Sequence, residues 1–65
     1  MINEVKKYFI KYKYVEKNHN IVEDTCIIEL AYTDLNMDAI RNRVVDALDL
    51  DINPNRIEIL LATLL

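Results

Sequence analysis

Sixty-five residues, 52% of them hydrophobic and carrying a net charge of −3, allow one α+β domain, 1–65, near the size limit for folding without staples. A lone Cys26 excludes an internal disulfide, and with His19 as the only histidine it excludes a structural zinc set, so apolar burial must hold the fold. The absence of Gly excludes a P-loop, a dinucleotide fingerprint and a nucleophile elbow, and the absence of Ser leaves only Cys26 or a Thr as a nucleophile.

The N-terminus, Met1-Ile2-Asn3-Glu4-Val5-Lys6-Lys7, lacks the apolar core of a signal peptide, and no run reaches membrane-spanning length. With one cysteine and no disulfide framework, a cytoplasmic setting without a membrane partner is expected. Residues 8–14, Tyr-Phe-Ile-Lys-Tyr-Lys-Tyr, alternate with Tyr8, Ile10, Tyr12 and Tyr14 on one face, which predicts a strand. Residues 25–32 predict a second strand with Cys26, Ile28, Leu30 and Tyr32 inward. Lys17-Asn18-His19-Asn20 between them supplies a turn, with Asn the favoured occupant of a left-handed position. Setting Ile10 opposite Ile28, Tyr8 opposite Leu30 and Tyr12 opposite Cys26 gathers one apolar side and requires a loop of three or five residues.

After Tyr32 the period becomes helical, with Met37, Ile40, Val44, Ala47 and Leu48 as the apolar stripe. Thr33, Asp34 and Asn36 are candidate N-caps, and the helix should end near residues 48–50, where Asp49 and Asp51 oppose the helix dipole. Asn53-Pro54-Asn55-Arg56 fits a type I turn leading into the last strand. Residues 57–65 are apolar on both sides of any strand they form, with Ile57, Ile59, Leu61 and Leu65 on one side and Leu60, Ala62 and Leu64 on the other. A chain this short cannot bury both, and a second copy of itself is the expected cover.

The order strand, strand, helix, strand, with its Pro-containing turn 49–57, resembles the β-grasp fold of ubiquitin-like proteins in a shortened form. That resemblance implies a ββαβ sheet ordered 2-1-3 with the helix across one face, and says little about activity. The other face is then open and carries Phe9, Val15, Ile27, Ala31, Leu60, Ala62 and Leu64 among Lys11, Lys13, Glu23 and Glu29. Phe9, Ile27, Leu60, Ala62 and Leu64 are the candidate interface of a homodimer.

Catalytic and metal candidates are weak. Cys26 lies on an inward face where a small hydrophobe is wanted, and His19 sits alone in a turn. Residues 49–55 imitate the start of an EF-hand loop, but Pro54 stands where Gly is needed and Leu60 where a bidentate Glu would close the shell. No cofactor, metal or catalytic set is expected. The first 20 residues hold five Lys against two Glu, and the other 45 hold three Arg against nine acids. The basic Lys6–Lys17 stretch, with Lys6, Lys7, Lys11, Lys13 and Lys17 interleaved with aromatics, therefore offers an alternative reading as a nucleic-acid binder. Its tyrosines and lysines fall on opposite faces, with Phe9 the only aromatic on the lysine side, which favours core tyrosines beside a solvated basic edge. Asp34, Asp38, Asp46, Asp49 and Asp51 raise a third idea, phosphate mimicry. The expectation is a small non-enzymatic protein-interaction module. Frequent Ile, Asn, Lys and Tyr point to an AT-rich source, and brevity to a small bacterial or phage protein, or one from a mobile element, that modulates a host protein.

Overall fold

The computed structural model describes residues 4–65, apart from the side chain of Asp34. Met1-Ile2-Asn3 of the N-terminal reading and the Asp34 carboxylate of the acidic set therefore lie outside the described residues. Strand β1 (Val5–Val15) and strand β2 (Ile21–Ala31) form a hairpin, helix α1 (Met37–Leu48) follows, and strand β3 (Glu58–Leu64) closes a three-stranded sheet. The sheet order is β2-β1-β3, with β1 antiparallel to both neighbours. This is the expected ββαβ arrangement. Because β2 and β3 run the same way, the chain must cross over β1 between them, and α1 is that crossover.

The hairpin loop has five unpaired positions, 16–20, as an odd loop requires, but the pairing differs from expectation by two residues. Ile10 lies opposite Cys26, Tyr8 opposite Ile28 and Tyr12 opposite Asp24. Both registers keep the same side chains on the same face, so alternation alone cannot choose between them. The turn decides. His19 N–H donates to Glu16 O (2.9 Å) and Glu16 N–H donates to Asn20 O (2.8 Å), with His19 at φ 68°. That is a turn closed by a left-handed residue, and His19 rather than an Asn takes the position. Asn18 instead accepts from Asn20 N–H (3.2 Å).

The second strand also ends one residue earlier than expected. Tyr32 enters a 3-10 turn, Tyr32–Asp34, and its ring is exposed rather than inward. Of the three candidate N-caps, Asn36 does the work, its side-chain oxygen accepting from Ala39 N–H at 2.8 Å. Such a cap contributes about 1 kcal/mol. At the far end Leu50 N–H reaches Val45 O (3.1 Å) and Asp49 N–H reaches Asp46 O (3.3 Å), with Asp49 left-handed at φ 51°. This pair of bonds is the Schellman pattern, normally completed by Gly.

Asp49 is thus doubly misplaced. It carries a Cβ where none is favoured, and a negative charge where the helix dipole is already negative. Asp49→Gly is expected to raise stability by about 1 kcal/mol, net of the extra chain entropy that glycine loses on folding. For a domain this small that is roughly 4–8 °C in melting temperature. Asp49→Asn should gain part of this by removing charge alone. An unchanged or lower melting temperature for the glycine variant would contradict the argument.

The core is a single cluster of Tyr8, Ile10 and Tyr12 from β1, Ile28 from β2, Ile40 and Val44 from α1, and Ile57 just before β3. Asn53 O accepts from Arg56 N–H (2.9 Å) and Pro54 O from Ile57 N–H (3.0 Å), so the expected turn is realised and extended into a 3-10 turn, Pro54–Arg56. That turn delivers Ile57 into the core at 1% exposure. Helix α1 packs chiefly on β2 and on this turn, and less on β3.

Candidate interaction surface

Strand β3 contains an irregularity that re-aims half of its side chains. Ile59 lies opposite Tyr12, yet the next pair along is Leu61 with Lys11, so Leu60 is an extra residue, a β-bulge. Beyond it Ala62 lies opposite Ile10, Thr63 opposite Phe9 and Leu64 opposite Tyr8. Directly opposed residues share a face. Ala62 and Leu64 therefore sit on the helix side of the sheet, a correction to their expected place on the open face. Leu61 moves the other way, onto the open face with Phe9 and Ile27. Leu65 follows it, since its N–H donates to Lys7 O (3.0 Å) and it stands beside an open-face lysine.

Helix-side placement does not cover Ala62 and Leu64. Leu64 is 55% exposed although its partner Tyr8 is buried, because α1 lies towards β2. Of the expected interface residues, Phe9 is half-buried on the open face, Ile27 is 58% exposed there, and Leu60 is 40% exposed at the bulge. Val5, Ile21 and Leu61 are further exposed apolar residues that the sequence reading left out of the surface. Among the described residues seven apolar side chains are buried, while eleven large ones remain exposed. Eight more hydrophobic residues, Tyr14, Cys26, Leu30, Val45, Leu48, Leu50, Ile52 and Ile59, are partly buried against the core.

The lysines are mostly committed. Lys11 pairs with Glu23 (3.4 Å) and Lys13 with Glu58 (3.3 Å) across the open face. Lys6 pairs with Glu4 (3.5 Å), and Lys17 reaches Asp51 (3.8 Å), while Lys7 lies opposite Glu29. Exposed pairs of this kind contribute little stability, but each lysine already faces an acid that a phosphate would have to displace. Tyr12 and Tyr14 stack on the helix side (centroids 6.2 Å apart, planes 5° from parallel), away from Lys11 and Lys13. Phe9 is the one β1 aromatic on the face of Lys11 and Lys13.

The acidic set is dispersed. Asp38 pairs with Arg41 (3.6 Å) at the start of α1, while Asp49 and Asp51 lie beyond its end. Twelve helical residues separate those groups by about 18 Å. In the stretch that imitates a calcium loop, Asn53 Oδ1 accepts from Asn55 N–H (2.9 Å). Among the described residues no three His, Cys, Asp or Glu side chains converge as a metal site would require. His19 is exposed at the hairpin tip, remote from Cys26 in the middle of β2. No described helix is long and apolar enough to cross a membrane.

Burial raises the pKa of the Cys26 thiol, and the Asp24 carboxylate adds to the effect. Burial likewise raises Tyr12, with smaller contributions from Asp24, Cys26 and Tyr14. Unfolded thiols ionise near pH ~8.5 and phenols near ~10. Both folded groups hold their protons above those values, so the unfolded chain sheds protons first. Stability is therefore intact below about pH 8 and falls as pH rises through the folded pKa values. The urea midpoint should decline steadily on the alkaline side. Cys26→Ala should flatten the first part of that decline and Tyr12→Phe the later part; a midpoint indifferent to alkali would refute this. A thiol held protonated is also a poor nucleophile.

Comparison with protein-family models, with curated proteins and with solved structures yields no match.

Proposed function

We propose that this chain is a non-catalytic protein-interaction module that acts as a homodimer through its apolar C-terminal strand and the adjoining open sheet face. The observation that carries the reading is the excess of exposed over buried large apolar side chains, with Leu60, Leu61, Leu64 and Leu65 in one uncharged run. A second copy is the partner that such a run can always find. The element order supports a shortened β-grasp-like arrangement, in which one sheet face holds the helix and the other is free to dock. A small phage or mobile-element protein that modulates a host protein fits the size and composition.

Nucleic-acid binding is the weaker reading, because four of the five N-terminal lysines are already paired with acids. Light scattering over a concentration series tests the main proposal. The expected mass is twice 7.7 kDa, and a species of 7.7 kDa at every concentration overturns it. Leu60→Asp should shift the population towards the single chain.

A further inference from the structure

We propose that self-association runs through the free edge of β3. Two copies pair antiparallel about a two-fold axis at Ala62, building one six-stranded sheet in the order β2-β1-β3-β3-β1-β2. The inference rests on the self-association reading above and assigns it to one surface.

Backbone direction comes first. Leu65 N–H donates to Lys7 O, so the Leu65 peptide points at β1. Alternation then turns Thr63 and Leu61 towards β1 as well, opposite Phe9 and Lys11. Ala62 and Leu64 are left with their N–H and C=O groups aimed outward at the free edge. An unpaired edge of this kind is a template for another strand.

Charge selects this edge over the other. Natural edges are blunted by lysine, proline or inward charge, and residues 59–65 carry no charge and no proline. The one charge in β3, Glu58, is held by Lys13 (3.3 Å). Strand β2 is the opposite case. It carries Glu23, Asp24 and Glu29 with no base of its own, and although Lys11 holds Glu23 (3.4 Å), pairing β2 with its own copy would still bring net negative charge together. Arg43 Nε also occupies its outer edge, donating to Glu29 O at 3.1 Å.

The occupant follows from self-complementarity. In an antiparallel pairing centred on Ala62, the small alanine side chains meet at the axis. Leu60 then stands beside Leu64 of the second copy, and Leu61 beside Thr63. Every contact is uncharged. The helix side of β3, which α1 leaves bare over Ala62 and Leu64, receives apolar cover from the same pairing.

A cross-linking experiment on the full chain tests this, in a Cys26→Ala background and with diamide as oxidant. Opposed residues in a hydrogen-bonded antiparallel pair have Cα atoms about 5.5 Å apart, within disulfide reach. Ala62→Cys is expected to convert to a covalent dimer, doubling its mass, while Ile27→Cys on the open face stays single. If Ile27→Cys links and Ala62→Cys does not, the copies stack by their sheet faces; the edge proposal then falls and self-association stands. A wild-type dimer in which neither position links overturns the edge proposal too. A wild-type chain that scatters as a single copy at all concentrations removes both. Circular dichroism on each variant separates a lost interface from a lost fold. Should Ala62→Cys fail to fold, Ala62→Ser serves, since its hydroxyl stays compatible with face stacking but weakens a dry axis; unchanged dimer dissociation would then overturn the proposal.

Discussion

Ile57→Ala should remove roughly 2–5 kcal/mol of stability, about half of what the domain has. A chain of this length has only about 3–10 kcal/mol of total stability, at ~0.05–0.15 kcal/mol per residue. Ile57 lies outside every strand, yet it is 1% exposed and packs within the cluster that includes Ile40 and Val44. It also fixes the angle at which β3 leaves the Pro54–Arg56 turn, through the bond from its N–H to Pro54 O (3.0 Å). Truncation leaves a cavity where the Pro54–Arg56 turn joins the helix layer to the third strand. Urea melts at one fixed protein concentration provide the measurement, because association would otherwise shift the midpoint. Ile21→Ala is the comparison: that side chain is exposed, and its loss should change stability by less than about 0.5 kcal/mol. Similar midpoints for the two variants would show that the core has been misidentified.

Leu64→Lys should abolish self-association while leaving the protomer folded. The side chain is more than half exposed, so an ammonium there remains hydrated in the single chain. In the paired state two such groups, one per copy, would have to be stripped of water beside Leu60 of the other copy. Desolvating polar groups without partners costs roughly 1–3 kcal/mol each, so the dissociation constant should rise by about a hundredfold or more. Sedimentation equilibrium reads that change directly. A dissociation constant within error of wild type would move the contact away from the β3 edge. The far-ultraviolet spectrum should be unaltered, since β1 keeps all its ladder bonds to β3.

The sequence made some features of this fold legible and hid others for identifiable reasons. Lysines alternate with apolar and aromatic residues through Ile10-Lys11-Tyr12-Lys13-Tyr14, so the helix-side face of β1 could be read at once. The helix cap was readable only as one of three residues, Thr33, Asp34 and Asn36, of which Asn36 fills the position. The hairpin register was not readable to better than two residues, because a two-residue slip leaves every face unchanged and the left-handed His19 sets the choice. The bulge was hidden more thoroughly. In an amphipathic strand an extra residue breaks the alternation and announces itself, but residues 59–62 are Ile-Leu-Leu-Ala, with no alternation to break. The face assignments of Leu61, Ala62, Leu64 and Leu65 were lost together for that one reason. Their exposure was anticipated; their direction was not.

The acids of β2 have a bearing on how large the assembly grows. Joining two copies by β3 consumes both of their bare borders and leaves β2 as the rim at either end of the enlarged sheet. In the proposed pair Glu23, Asp24 and Glu29 would give that rim a net negative charge, which would halt growth at two copies. Neutralising those three carboxylates and truncating Arg43, whose Nε holds Glu29 O, would open the outer rims of the proposed pair to end-to-end addition.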